Sequence, residues 1–486
     1  MTTEMAVATI DPVTKTSKTV TTAPDVLVII VTWNKKQYVL DLLATIGTLD
    51  YPTYALDILV VDNASTDGTV EALNATYPDI NLICTHENIG GTGGFNAGLQ
   101  WAFEQPPEHY KYIWLLDNDV LVHHHALKEL VALLEDKPDV AVAGSTMMQL
   151  DYPWRINEMG AFVERGGKAG QLKLHRHLEP VLAWQGYFAS ELLTVDADLT
   201  KHLIHCQPFM DVEYVAAASL LVRAGVAKEA GLWRDYFIHF DDVEWCLRIA
   251  NMGHRIVVSA KSLIWHLSAI AKVPTWVLYY DNRNMLDMLQ TIGIKPVQLR
   301  DSIRYIYKKA VYYHIIGKPD LAQLHYEAVA DFRAGHFGKK DIKLTGTYHK
   351  NSQINSVFLE PSNKRILIAW HVNLHATGIQ EALVQAQLQR PQLQIDFMPS
   401  PIGKIIYQLP RNRFIKPFPQ NRFRRWLAYW RLRGYYDLII QSDYKVVIGL
   451  SWLKSRLLFI NDEEFCERSP PKLGNVVRAV VRYFWS

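Results

Sequence analysis

Two acidic clusters and one histidine carry the chemistry that this sequence can do. The first cluster ends the run Trp114-Leu115-Leu116-Asp117-Asn118-Asp119, the second is Phe240-Asp241-Asp242, and the histidine is His266, directly after Trp265. An apolar run that breaks into Asp-x-Asp predicts a buried strand delivering two carboxylates to its carboxyl end, where ligands sit in open α/β sheets. Two carboxylates and an imidazole suit a divalent cation, Mn²⁺ or Mg²⁺, held against the phosphates of a nucleotide. Asp241 and Asp242 open a predicted helix, where the macrodipole alone would favour acids. A cap needs only one of them. Burial behind the aromatic run Tyr236-Phe237-Ile238-His239-Phe240 would raise a carboxyl pKa and make a better base. Together the clusters point to transfer chemistry on a nucleotide-activated donor.

The elements that position these groups alternate. Residues 26–32 form a β-rich run, 37–49 a helical pattern stopped at Pro52, and 57–63 a second strand followed by the helix-start signal Ser65-Thr66-Asp67-Gly68. A third strand covers 80–84, a glycine-rich turn at 88–94 leads into a helix at 95–103, and a fourth strand at 112–116 ends in the Asp-x-Asp. Short strand–helix alternation predicts a doubly wound α/β domain. The rhythm fails over 152–208, which reads as an insertion or hairpin region facing an acceptor. It returns with strands at 215–222 and 256–258 around a helix at 241–252. Amphipathic stretches at 275–335 predict helices, and a new unit begins after a boundary near 350–362. The expected division is a disordered tail at 1–24, a catalytic domain at 25–290, a helical extension at 291–360 and a small α/β domain at 361–486.

Several groups at the strand ends could hold the donor. Asp62 could accept a hydrogen bond from a base or ribose, although a helix cap explains it as well. Gly90, Gly91, Gly93 and Gly94 precede a predicted helix, with Phe95 and Asn96 following, and would let backbone amides approach a ligand closely. No Lys follows as in a Walker loop, and Asn96 stands where the dinucleotide fingerprint needs a third glycine. The run His123-His124-His125 invites a metal reading, but three consecutive residues cannot share one helix face, so a solvated helix start is the expectation.

Composition narrows the class. With 486 residues, 49% hydrophobic and 21% charged, the chain suits a multidomain globular protein, and a net charge of +2 gives no general signal for nucleic acid. Four scattered cysteines, Cys84, Cys206, Cys246 and Cys466, fit a reducing compartment. The first 24 residues lack the apolar core of a signal peptide, and no apolar run approaches the roughly 20 residues of a spanning helix. The expected location is therefore cytoplasmic.

In order along the chain, Val31-Thr32-Trp33-Asn34, Val61-Asp62-Asn63-Ala64-Ser65-Thr66-Asp67-Gly68, the glycine run, Leu116-Asp117-Asn118-Asp119, Phe240-Asp241-Asp242 and Trp265-His266 resemble the motifs of inverting family 2 glycosyltransferases with the GT-A fold. The resemblance covers roughly residues 25–290. The run Gly90-Gly91-Thr92-Gly93-Gly94-Phe95-Asn96 is most similar to galactofuranosyltransferases. The segment Tyr279-Tyr280-Asp281-Asn282-Arg283-Asn284 is similar to one found there and in rhamnosyltransferases. One departure is that galactofuranosyltransferases often carry three consecutive acids where this chain has Asp117-Asn118-Asp119.

The resemblance implies a metal held by Asp119, His266 and Asp117, with Asp242 as catalytic base beside Asp241. It implies donor contacts from Thr32, Asn34, Asp62, Asn63, Gly90, Gly91, Gly93, Gly94, Phe95, Asn96, Asp117 and Asn118, and acceptor contacts from Trp245, Trp265 and Arg283. It also implies a UDP-galactofuranose donor, with dTDP-rhamnose as the alternative, and a polysaccharide or lipid-linked acceptor at the inner face of the plasma membrane. A homo-oligomer would be compatible with it; a nucleic-acid partner is not expected. A sugar nucleotidyltransferase would carry its glycine loop straight after the first strand, where Trp33-Asn34-Lys35-Lys36 stands instead. A non-catalytic glycan-binding protein would not need two acidic clusters and a histidine.

Beyond the resemblance, residues 404–436 hold nine Lys or Arg and no Asp or Glu, interleaved with Phe414, Phe418, Phe423, Trp426, Tyr429 and Trp430. That composition suits anionic lipid headgroups; an ordinary core-facing helix is the alternative. Short strands are expected at 365–370, 438–440, 446–448 and 457–460.

Overall fold

The computed structural model describes residues 23–486 except 151–152, 154–155, 166–169, 171, 175–208, 267–275, 345–347, 370–371, 373, 375–376, 399–412, 416–420, 444–445, 462–463, 469 and 486. The expected tail up to residue 22, most of the expected insertion and part of the basic stretch lie outside the described residues. The chain divides into two compact units: Met1–Ile270 with Arg283–Leu299 and Gly335–Lys340, and Ala271–Asn282 with Arg300–Ala334 and Asp341–Ser486.

The first unit contains β1 (Val26–Thr32), β2 (Leu56–Asp62), β3 (Asn81–Cys84), β4 (Tyr112–Asp117), β5 (Val120–Val122), β6 (Val140–Gln149), β7 (Ile156–Glu158), β8 (Ala161–Val163), β9 (Leu172–Leu174), β10 (Phe209–Val212), β11 (Leu220–Arg223) and β12 (Arg255–His266). The main sheet runs β10-β12-β6-β11-β4-β1-β2-β3, with β5 on β12 and β7 on β6. All seven residues of β1 are buried, which is why it reads as an unbroken apolar run rather than an alternating one. The helices are α1 (Lys36–Ile46), α2 (Thr69–Thr76), α3 (Gly90–Glu104), α4 (Ala126–Asp136), α5 (Ala224–Ala230) and α6 (Asp241–Asn251). Leu42, Leu43, Leu73, Leu127 and Leu130 of α1, α2 and α4 pack with Val26, Val28 and Ile30 on one face of the sheet. On the other face α3 lies against Ile29 and Val31.

Parallel pairing places Thr32 opposite Asp62, and Val31 opposite Asp117. The chain leaves β1 toward β2 and β3, then returns to add β4 on the other side. The three carboxyl ends therefore meet at a topological switch point, where the crevice of such a sheet opens.

After α7 (Val277–Thr291), the second unit contains α8 (Pro296–Ile315), α9 (Pro319–Ala334), α10 (Asn355–Leu359), α11 (Ile379–Gln389), α12 (Arg422–Arg431) and α13 (Leu473–Trp485), α7 and the start of α8 being shared with the first. Its strands are β13 (Tyr348–Lys350), β14 (Arg365–Ile368), β15 (Gln394–Phe397), β16 (Arg413–Phe414), β17 (Leu438–Ser442), β18 (Arg456–Ile460) and β19 (Glu464–Arg468), ordered β13-β19-β18-β17-β14-β15-β16. The boundary read near 350–362 falls inside this sheet, because β13 pairs with β19. Buried ion pairs, Lys318 with Asp443 and Arg468 with Asp320 at 2.6 Å, tie the α8–α9 region to it. Residues 446–448 are not the expected strand: the Val447 N–H donates to the Gln441 side chain at 2.8 Å, which takes the amide out of any ladder.

Candidate active site

Asp117 closes β4, and Asp119 follows in the tight turn to β5. Antiparallel pairing of β5 with β12 sets His266 opposite Val120, so the histidine returns to the acids across about 150 residues of chain. His266 Nε2 lies 3.1 Å from Asp119 Oδ1. Asp117, Asp119 and His266 each bring one ligand atom within 4.8 Å of the other two. Carboxylate oxygens with one imidazole nitrogen form a donor set that Mn²⁺ and Mg²⁺ both accept.

Asp241 and Asp242 stand at the first turn of α6, behind Phe240 at φ 65°. Asp241 Oδ2 accepts the Thr92 hydroxyl at 2.5 Å, and its Oδ1 the Asp242 N–H at 3.1 Å. Asp242 accepts the Ala217 N–H at 3.1 Å and the Val243 N–H at 2.8 Å. Burial raises both carboxyls above the ordinary aspartate range. For Asp242 the rise is large, and the charges of Asp241 and then Asp117 add to it. The Asp242 carboxyl thus feels the charge of Asp117, while Asp241 is bonded to Thr92 of α3.

At the switch point Asp62 is 1% exposed, and its Oδ2 accepts the Ser65 N–H at 2.9 Å. Asn63 donates to the Gly90 carbonyl at 2.8 Å. Oδ1 of each is buried with no hydrogen-bond partner, and a ligand donor would satisfy such groups. Asn118 donates to the Thr32 hydroxyl at 2.8 Å, fixing the Asp-x-Asp turn to β1. Asn34 accepts from the Thr66 N–H at 2.7 Å, so its side chain braces the loop after β2.

The glycine run is not a loop before a helix. It forms the first turns of α3, and packing accounts for most of it. A Cβ at Gly90 would lie 2.0 Å from the Phe237 carbonyl oxygen, one at Gly93 2.8 Å from Ile89, and one at Gly94 2.4 Å from Val31. At Gly91 a Cβ would meet nothing within 4 Å, which leaves that position open to a ligand. Phe95 is buried against Trp233 with ring centroids 5.0 Å apart, and Asn96 exchanges two hydrogen bonds with the Trp233 backbone. Both side chains are engaged with Trp233.

The acceptor residues expected from sequence are corrected by burial. Trp245 is fully buried and donates to the Gly231 carbonyl, and Trp265 is 1% exposed and donates to Pro153. Arg283 is 1% exposed and donates to the carbonyls of Gly338 and Tyr236. None presents a surface to a soluble substrate. The three histidines stand at the start of α4 as expected, with His125 at its cap, but they are not all solvated, and one ligand atom from each lies within 4.8 Å of the other two, a second group that could hold a metal ion. His123 is buried, which drives its pKa down to about 3, with His124 and His125 adding to the drop. Sequence reasoning missed Thr92, hidden among the glycines, and Asn284, whose only signal was the segment it ends.

The sequence pattern of the glycosyltransferase-like family 2 matches residues 24–284, more than half of the chain. The chain belongs to that family. It is 23% identical over 230 residues to galactofuranosyltransferase GlfT2 of Mycobacterium tuberculosis, covering 45% of this chain and 34% of that protein. It is 27% identical over 112 residues to the poly(ribitol-phosphate) β-N-acetylglucosaminyltransferase TarS of Staphylococcus aureus, covering 22% and 18%. The matched part thus spans about a third or less of these relatives' length. Among solved structures, a mannosyltransferase of Pyrobaculum calidifontis in complex with GDP-Man and Mn²⁺ aligns with TM-score 0.37 and 19% identity, over 64% of this chain and 77% of that one.

Proposed function

We propose that this family 2 member is a metal-dependent inverting glycosyltransferase. In this reading it moves a sugar, galactofuranose from UDP-galactofuranose, onto a hydroxyl of a growing cell-surface glycan. The observation that carries the reading is the grouping of Asp117, Asp119 and His266 at the carboxyl end of β4, with the charge of Asp117 reaching the buried Asp242 carboxyl. Similarity to galactofuranosyltransferases over the catalytic part supports the choice of sugar.

Asp117, Asp119 and His266 would hold Mn²⁺ or Mg²⁺, which when bound supplies Lewis-acid neutralisation of the diphosphate leaving group. Asp62 and Asn63 offer buried acceptors to the nucleoside, and Gly91, where a side chain would meet nothing within 4 Å, leaves room for a ligand at the start of α3. Asp242 takes the proton from the acceptor hydroxyl as its oxygen attacks the anomeric carbon on the face opposite the departing phosphate. One displacement inverts the centre, with an oxocarbenium-like transition state and no covalent intermediate, as in inverting glycoside hydrolysis.

A lipid-linked acceptor would bring the protein to the inner face of the plasma membrane as a peripheral protein. None of the described helices is long and apolar enough to cross a membrane. Support for surface contact comes from α12, which seats Tyr429 on the second unit's core yet exposes Phe423 (66%), Trp426 (58%) and Trp430 (60%). Arg424, Arg425, Arg431 and Arg433 are exposed beside them. Such a face lets aromatic rings enter the headgroup layer while guanidinium groups meet lipid phosphates.

The test is transfer by purified protein from UDP-galactofuranose, UDP-hexopyranoses and dTDP-rhamnose, with Mn²⁺ present, to an oligosaccharide acceptor. Turnover of UDP-galactofuranose with inversion is expected. Preference for dTDP-rhamnose would move the sugar assignment, and turnover of none of the donors would remove the reading.

A further inference from the structure

The loop that delivers Asp241 and Asp242 is strained. Phe237, His239 and Phe240 all take left-handed backbone conformations, at φ 67°, 66° and 65°. Side chains with a Cβ disfavour that region, and three such residues within four positions persist only where the surroundings hold them. Every carbonyl from Tyr236 to Phe240 is held. The Asn284 side-chain amide donates to Tyr236 at 3.2 Å, Ile238 at 2.8 Å and His239 at 2.9 Å. The Arg283 guanidinium adds a second bond to Tyr236 at 2.9 Å and anchors itself on Gly338 at 2.9 Å, its carbon 5.4 Å from the Phe337 ring centroid. The Thr92 N–H takes the Phe237 carbonyl at 3.2 Å, and the Glu244 N–H takes that of Phe240 at 2.9 Å.

We infer that Asn284, backed by Arg283, is a positioning residue for the acid pair: its amide clamps the left-handed turn that sets Asp242 into the crevice. The inference rests on the transferase reading for its kinetic consequence, but the clamp itself does not. Asn284 is fully buried, and its two amide hydrogens converge on three carbonyls of one turn. No other amino-acid side chain of that size offers two donors in one plane without a charge. Released, the turn would relax toward ordinary φ values and swing the first turn of α6, and an error of about 1 Å at a reacting group costs on the order of a hundredfold in rate.

The experiment compares wild type with Asn284→Ala. Nucleotide–Mn²⁺ affinity is read by calorimetry, kcat by transfer, and amide exchange over residues 236–242 by mass spectrometry. Expected are affinity within about twofold, kcat down by about tenfold or more, and faster exchange in that turn. An unchanged kcat and unchanged exchange in folded Asn284→Ala would overturn the clamp. If wild type transfers no sugar, the transferase reading fails, while the exchange comparison still decides the clamp. Should Asn284→Ala not fold, exposed His239 carries the test. His239→Gly and His239→Ile lose the same imidazole but change the left-handed strain in opposite directions. The isoleucine variant should be slower in kcat by about tenfold at equal nucleotide affinity. Equal kcat, with equal exchange over the turn, would overturn the proposal.

Discussion

Glycine to alanine at two places in one helix should change stability with opposite signs. At Gly94 the new Cβ would stand 2.4 Å from Val31 Cγ1 and 3.1 Å from Asn63 Nδ2. Ordinary carbon contacts are about 3.5–4.0 Å, so α3 must move by about 1 Å from β1, whose residues are buried on both faces. Overpacking of that kind costs about 1–3 kcal/mol, against a gain of about 0.5–1 kcal/mol from replacing a helical glycine. A net loss of about 1–2 kcal/mol should lower the melting temperature by roughly 2–6 °C. Gly91→Ala meets nothing within 4 Å and keeps only the favourable part, so its melting temperature should stay level or rise by about 1–2 °C. Thermal unfolding by circular dichroism, with nucleotide titration alongside, separates packing from ligand contact. Gly94→Ala should also weaken nucleotide binding, because Asn63 is displaced with it. If Gly94→Ala melts at or above wild type, α3 does not seat on β1 as described and the steric account of the glycines is wrong.

Mn²⁺ should raise the melting temperature of wild type and not that of Asp119→Ala, since a ligand that binds only the folded state stabilises it by mass action; equal shifts would remove Asp119 from the metal site. Transfer should stop in excess chelator and return with Mn²⁺. Asp242→Asn should lower kcat by about 10²–10⁴-fold with donor affinity little changed, whereas a crippled Asp241→Asn beside a mild Asp242→Asn would exchange their roles. The raised carboxyl values of the pair also fix a sign. A folded state that holds protons the unfolded chain releases is favoured below about pH 4 and loses that advantage as pH rises through the folded values. In metal-free protein, therefore, Asp242→Asn should gain melting temperature over wild type as pH rises above about 4; a difference constant with pH would contradict the upward shift. Binding to anionic vesicles should weaken with salt and on neutralising Arg424, Arg425, Arg431 and Arg433, each worth about 1 kcal/mol when well placed; binding that ignores both would leave α12 a protein-contact surface.

The strands that frame the crevice were legible because the first four are short apolar runs with turn residues at their ends, a pattern set by local chemistry. The Asp-x-Asp and its distant histidine were legible for the same reason, each being anchored to a strand end. What failed was burial. Trp245, Trp265 and Arg283 have side chains that suit sugar binding, yet each spends its polar atoms on backbone carbonyls inside the fold. The glycines of α3 were legible as unusual but not as packing, because Val31 and Ile29, which exclude their side chains, lie about 60 residues away in sequence. The histidine turn was misjudged because His123 is buried beside Trp265 of β12 rather than solvated. Where the deciding contact comes from another element, as at Gly94, Gly98 and His123, no local pattern reports it.

The two adjacent acids look interchangeable in sequence, and the hydrogen bonds around them argue that they are not. Asp241 is 7% exposed and spends Oδ2 on the Thr92 hydroxyl, an interaction that holds α6 to α3. Its carboxylate is thus committed to the frame. Asp242 receives only backbone N–H groups, from Ala217 and Val243, which fix its direction without filling every lone pair. It is also the acid whose upward pKa shift includes the charge of Asp117, the carboxylate that closes β4. A base must face the reacting hydroxyl and be basic enough to take its proton, and both properties favour Asp242. The same geometry explains why a strained turn is tolerated immediately before it. The turn reversed at Phe237, His239 and Phe240 leads directly into the first turn of α6, where Asp241 meets Thr92 and Asp242 is fixed by the N–H groups of Ala217 and Val243. Relaxing that turn would trade backbone strain for a misdirected carboxylate.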